Sequence, residues 1–219
     1  MCKRDFQYKS TQFWQIHNTQ KGICTHFQAL EYKMNKFENF YLLCKYPSIN
    51  PKLESTGITK DHIFRYLYED FHIILFNISD ILSNILDYIY QLNIKKEHQH
   101  LPYIFNELKQ KHIITDNSIL YTTLKEYNLF LTSNKEERNN NTHYGKSKNS
   151  ILREIENPSD AKKLLNYVLS KRYNTDLNSI IYIPDIIGQM NSKIEKTDKL
   201  ITKIFNNIQT TSSNLNHFL

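Results

Sequence analysis

Turn-forming residues are scarce in this chain: 219 residues contain four glycines and five prolines. That is too few for the many tight turns of a β-sandwich or barrel. Nor is there a glycine-rich phosphate loop, so P-loop and dinucleotide-binding folds are excluded. Cysteine is sparse as well. Cys2, Cys24 and Cys44 are odd in number, lack Cys-x-x-Cys spacing and lie near the start of the sequence, which fits a reducing cytoplasm. The first residues, Met1-Cys2-Lys3-Arg4-Asp5-Phe6-Gln7, lack the apolar core of a signal peptide. The unbroken apolar runs, such as Phe40 to Cys44 and Ile73 to Phe76, are far below the ~20 residues of a membrane span. The expectation is therefore a soluble, cytoplasmic protein with no membrane partner.

What is present is an ordinary globular composition, 40% hydrophobic and 23% charged, with a net charge of +6. The surplus of positive charge permits a polyanionic partner, yet it is spread along the chain and does not by itself identify one. Usage leans on Ile, Lys, Asn and Tyr, so runs of Asn or Lys carry less information than elsewhere.

Helical periodicity dominates. Phe64, Leu67, Phe71, Leu75, Ile78, Leu82, Ile85 and Ile89 recur at steps of three and four, predicting a long helix from about Thr59 to Ile94. One or two helices are expected over 8–46, where Phe27, Leu30, Met34, Phe37, Tyr41 and Leu42 keep a helical period, with 47–57 as a linker. Further helices are expected over about 103–111 and 117–137, the latter carrying Leu120, Leu124, Tyr127 and Leu131. Another should run from Asn157 or Ser159 to Arg172 with Ala161, Leu164, Leu165, Val168 and Leu169. A last one, over about 185–212, carries Met190, Ile194, Ile201, Ile204 and Ile208. The only strand-like run is Ile180 to Ile183. From Ser133 to Ser150 Tyr144 is the sole apolar residue, so this stretch is expected to be loop, helix terminus or both. The fold class read from this pattern is all-α, an antiparallel helical bundle with extra N- and C-terminal helices, treated as one domain over 1–219.

One segment of that polar stretch looks chemical, Arg138-Asn139-Asn140-Asn141-Thr142-His143. Arginine offers a fork of donors to phosphate at any physiological pH, and histidine titrates near neutrality. Five arginines and nine histidines give about 0.6 chance pairs at such spacings, so spacing alone is weak. Requiring Asn, Asp or His after the Arg lowers the chance figure to roughly 0.1. The other pair, Arg65 and His72, has Tyr66 after the Arg and lies seven apart inside the predicted long helix, and is read as surface or interhelical packing. From Arg138 to Arg153 the cations are Arg138, Lys146, Lys148 and Arg153, with no acidic residue between. His98, His100 and His112 are read as solvent-exposed, not as metal ligands.

An Arg-(Asn/Asp/His)-x3-His motif leading toward a late helix of an all-α bundle resembles the HEPN superfamily (higher eukaryotes and prokaryotes nucleotide-binding). The likeness covers the six motif residues and, more loosely, the helical order of a core over about 25–172, leaving a C-terminal helical extension over about 185–216. It implies a metal-independent endoribonuclease without a cofactor, of the kind found in toxin–antitoxin and phage-defence systems. His143 would be the general acid or base, Arg138 the phosphate clamp and Asn139 a polar positioner; Tyr144, Lys146 and Lys148 would contact RNA. Many members carry Tyr two places after the His, whereas here Tyr144 follows directly and Gly145 holds the second place. The implied partners are RNA, a second copy of the chain in a homodimer, and an antitoxin or defence-system protein. The alternative is a catalytically inactive helical module that binds RNA or protein.

Overall fold

The computed structural model describes residues 21–45, 60–144, 160–173 and 183–211. Every long element among them is an α-helix: α1 Lys21–Lys45, α2 Lys60–Tyr90, α3 Leu101–Gln110, α4 Ile119–Tyr144, α5 Asp160–Tyr173 and α6 Ile183–Thr211. A short 3-10 turn at Lys96–His98 precedes α3, and no strand occurs among the described residues. The all-α class is thus the observed one. Ile183 of the strand-like run opens α6; residues 180–182, like the 47–57 linker and the chain before 21, lie outside the described residues.

Helix ends have local causes. α2 stops four residues before the expected Ile94 because Gln91 adopts a left-handed backbone (φ 50). The Leu92 N–H then donates to the Asp87 carbonyl at 3.1 Å, a Schellman-type closure that also buries Leu92. The Asp87 carboxylate accepts from Ile94 N–H at 3.2 Å and Gln99 Nε2 at 2.8 Å, fixing the connection. α3 ends the same way, with His112 at φ 55 and Ile113 N–H donating to the Leu108 carbonyl at 3.0 Å. Ser118 caps α4, its Oγ accepting from Tyr121 N–H at 3.1 Å.

Where the sequence suggests one domain over 1–219, the chain divides into two compact units. The first draws on Met1–Lys36, Ile74–Thr132 and Glu195–Leu219. Its interior holds Leu30, Ile78, Leu82, Ile85, Ile104, Leu108, Leu124, Ile201, Ile204 and Ile208, all fully buried, and Phe27 lies 5.4 Å from Phe205. At about 1.5–3 kcal/mol for each buried Leu or Ile, this apolar interior is the main force holding the unit. The C-terminal helix, expected as an extension, supplies part of it. The second unit draws on Phe37–Ile73 and Ser133–Ile194, and its centre is aromatic: Phe37 stacks on Phe71 at 4.1 Å, with Tyr68 and His72 buried alongside.

By length and composition Ile63–Tyr90 is apolar enough to cross a membrane. Its apolar stripe is largely covered by protein: Phe64, Phe71, Leu75, Ile78, Leu82, Ile85 and Leu86 are buried, together with the polar His72, Ser79 and Ser83.

Two expectations need correcting. The helix expected to end near 137 continues through Tyr144, so the Arg–His segment lies on this helix and not beyond its end. Glu, Lys and Arg are good helix formers, Asn134 is buried, and no Gly or Pro interrupts the sequence from 103 to 144; a chain can stay helical without an apolar stripe. The second correction concerns α5. Its periodic apolar residues do not form its buried side; Leu164 is 66% and Val168 45% exposed, while Lys162 is buried.

Candidate functional site

α4 carries the motif. Leu120, Leu124, Tyr127 and Leu131 bury one side of its first turns, and the helix continues from there through positions 138 to 144. Arg138 and Asn139 are half-buried. Five residues along an α-helix amount to about 7.5 Å of rise and about 140° of rotation, so positions 138 and 143 do not share one helix face. The helix therefore sets the two positions on different sides of one rod, with Asn139 about 100° from Arg138. His143 and Tyr144 belong to its final turn, and Lys146 and Lys148 lie outside the described residues. Of the six expected site residues, four, Arg138, Asn139, His143 and Tyr144, lie on one helix.

A buried polar constellation that sequence reasoning read only as packing lies in the second unit. His72 is fully buried on α2. Its Nδ1 lies 3.0 Å from the Tyr68 carbonyl oxygen and its Nε2 2.9 Å from Lys193 Nζ on α6. A carbonyl only accepts and an ammonium only donates, so the ring is neutral, with the proton on Nδ1 and the Nε2 lone pair facing Lys193. Burial, and then the Lys193 charge, push the His72 pKa down to about 3, against a smaller upward pull from the Tyr68 carbonyl. Tyr68 and Phe71 flank the ring edge-on at 4.5 and 5.6 Å. A histidine held this way has no proton to exchange near neutral pH; it anchors a lysine across two helices. The sequence signal was its place directly after the seam residue Phe71, and nothing in the sequence links it to a lysine 121 positions away. Arg65, its expected companion, pairs instead with Glu69 at 2.9 Å.

The other histidine group has structural roles. His100 caps α3, its Nδ1 accepting from Tyr103 N–H at 3.4 Å, and His98 stacks on the Tyr103 ring at 4.9 Å. His112 is the left-handed residue that ends α3. No group of three or more His, Cys, Asp or Glu among the described residues could hold a metal ion. In the first unit the Tyr127 hydroxyl is buried with no hydrogen-bond partner among the described residues, and burial followed by the Asp80 charge raises its pKa. Lys109 and Asp116 form an exposed pair at 3.0 Å whose mutual hydrogen bond raises the first pKa and lowers the second.

No family model, curated protein or solved structure matches the chain.

Proposed function

We propose that the chain is a metal-independent endoribonuclease of HEPN type, a toxin or phage-defence effector. The observation that carries this reading is the Arg138-Asn139-x3-His143 segment, set in an all-α chain and followed by a stretch without an acidic residue as far as Arg153. Cleavage without a metal needs a base at the ribose 2′-hydroxyl and a cation on the scissile phosphate. His143 fills the first role and also protonates the leaving oxygen; Arg138 fills the second, and Asn139 orients the phosphate. Lys146 and Lys148 guide the RNA backbone, with Tyr144 beside them. RNA is the substrate, and an antitoxin or another defence-system protein is the restraining partner.

The test is cleavage of total RNA in EDTA. Wild type is expected to cut, and His143→Ala and Arg138→Ala to lose at least about a hundredfold in rate, the usual contribution of one acid–base group. Equal inactivity of all three proteins would reject the enzyme and leave the second reading, a catalytically silent interaction module. The exposed apolar side of α5 is the observation that favours it.

A further inference from the structure

The turn that leads into α3 carries two histidines, and one of them is the N-cap of that helix. His100 has an extended backbone (φ -130, ψ 150). Its carbonyl accepts from the Tyr103 and Ile104 N–H groups at 3.0 and 3.1 Å, and its Nδ1 accepts from the same Tyr103 N–H at 3.4 Å. A ring nitrogen that accepts carries no proton, so the neutral ring holds its proton on Nε2. The next proton goes to Nδ1, the capping atom itself. It turns an acceptor into a donor facing a donor, and it sets a positive charge at the positive end of the α3 dipole. Both changes act against the first turn of the helix.

The surroundings do not offset that charge. His100 is exposed, and apart from the cap its ring meets the edge of the Tyr103 ring at 6.0 Å. The connection before it carries Lys95, Lys96 and His98 against a single acid, Glu97, all exposed. From α2, the Asp87 carboxylate is engaged by Ile94 N–H and Gln99 Nε2. From the far end of α3, Lys111 Nζ donates to the Leu92 carbonyl at 3.0 Å. α4 meets α3 further along, where Phe105 lies 5.1 Å from Tyr121 and Lys109 pairs with Asp116 at 3.0 Å. His98 is the opposite case. It stacks on the Tyr103 ring at 4.9 Å, so a proton on it adds a cation–π attraction and breaks nothing. What the cap holds belongs to the interior of the first unit, since Leu101 and Ile104 of that turn are both buried.

We propose that His100 is a proton-operated latch on α3: neutral, it caps the helix; protonated, it turns away and loosens the turn that seats Leu101 and Ile104. The device sits wholly within the first unit and stands or falls apart from the ribonuclease reading. Because histidine titrates near neutrality, it works under mild acidification.

Hydrogen exchange of the full-length protein, read amide by amide by NMR and corrected for the intrinsic pH dependence, tests it. Between about pH 7.5 and about pH 5.5 the protection of Tyr103 and Ile104, taken relative to Leu124 of α4, is expected to fall roughly three- to fivefold, the usual worth of an N-cap. His100→Asn, whose side chain caps at either pH, should show no such fall; His98→Gln should keep it. His100→Ala should be as poorly protected at the higher pH as wild type is at the lower. Protection that stays level in wild type, or that falls equally at Leu124, overturns the proposal. So does a fall that persists in His100→Asn or vanishes in His98→Gln, or wild-type protection in His100→Ala.

Discussion

His72 shows how one buried side chain can couple pH to stability. In the unfolded chain it titrates near its ordinary value of 6.5, whereas in the folded protein burial and Lys193 hold it near 3. Between those values the unfolded state binds the proton and the folded state does not, so stability falls as pH drops through that window. The slope due to this one group approaches about 1.4 kcal/mol per pH unit. His72→Gln, which keeps a neutral polar group beside Lys193, is expected to be less stable near neutrality but to show a shallower fall between about pH 6.5 and pH 5, above most carboxylate titrations. Urea unfolding midpoints across that range measure it; parallel curves for the two proteins would show that His72 does not carry the effect. The sequence displayed the ingredients, a histidine beside Phe71 in an apolar seam, but a lone histidine on such a face has no readable partner. Arg138 and His143 are the reverse case, legible as a pair of types and separated in angle by the helix that bears them.

At the scale of elements, periodicity was a good guide wherever apolar residues marked the buried side. Phe64, Phe71, Leu75, Ile78, Leu82 and Ile85 of α2 and Met190, Ile194, Ile201, Ile204 and Ile208 of α6 all lie inside. It failed where polarity and helicity part company. Residues 133 to 144 of α4 are helical without an apolar stripe and with only Lys135, Glu136, Glu137 and Arg138 as strong helix formers, and α5 has an apolar stripe that faces out. Periodicity reports which residues could share a face, and tertiary packing decides which face is buried. Gly188 offers a test inside α6. It is exposed, and a Cβ built there would meet nothing within 4 Å. Since a glycine in a helix costs roughly 0.5–1 kcal/mol relative to alanine, Gly188→Ala is expected to raise stability by about that amount. An unchanged or lowered unfolding midpoint would mean that α6 needs the glycine for a bend or a close approach.

For the whole molecule, composition reached the fold class and little further. Few glycines and prolines excluded β architectures, and long periodic segments required helices, but the division into two compact units crosses helices and so left no linker to read. The net charge of +6 bears on the proposed function in a way that can be measured. If RNA is bound along the segment from Arg138 to Arg153, its phosphates release counterions to the cations there. The logarithm of the binding constant then falls with the logarithm of salt by about 0.7 per phosphate contact for a single strand. His143→Ala leaves the fixed charge unchanged and allows binding to be followed without cleavage. In that background, Lys146→Ala together with Lys148→Ala should reduce the slope by about 1.4 if both lysines meet phosphates. Exchanging two lysines elsewhere, Lys196→Ala and Lys203→Ala on α6, should leave it nearly as it was. A slope that falls equally for both pairs would point to the diffuse charge of the whole chain, and a slope that neither pair moves would place the RNA away from the segment after Arg138.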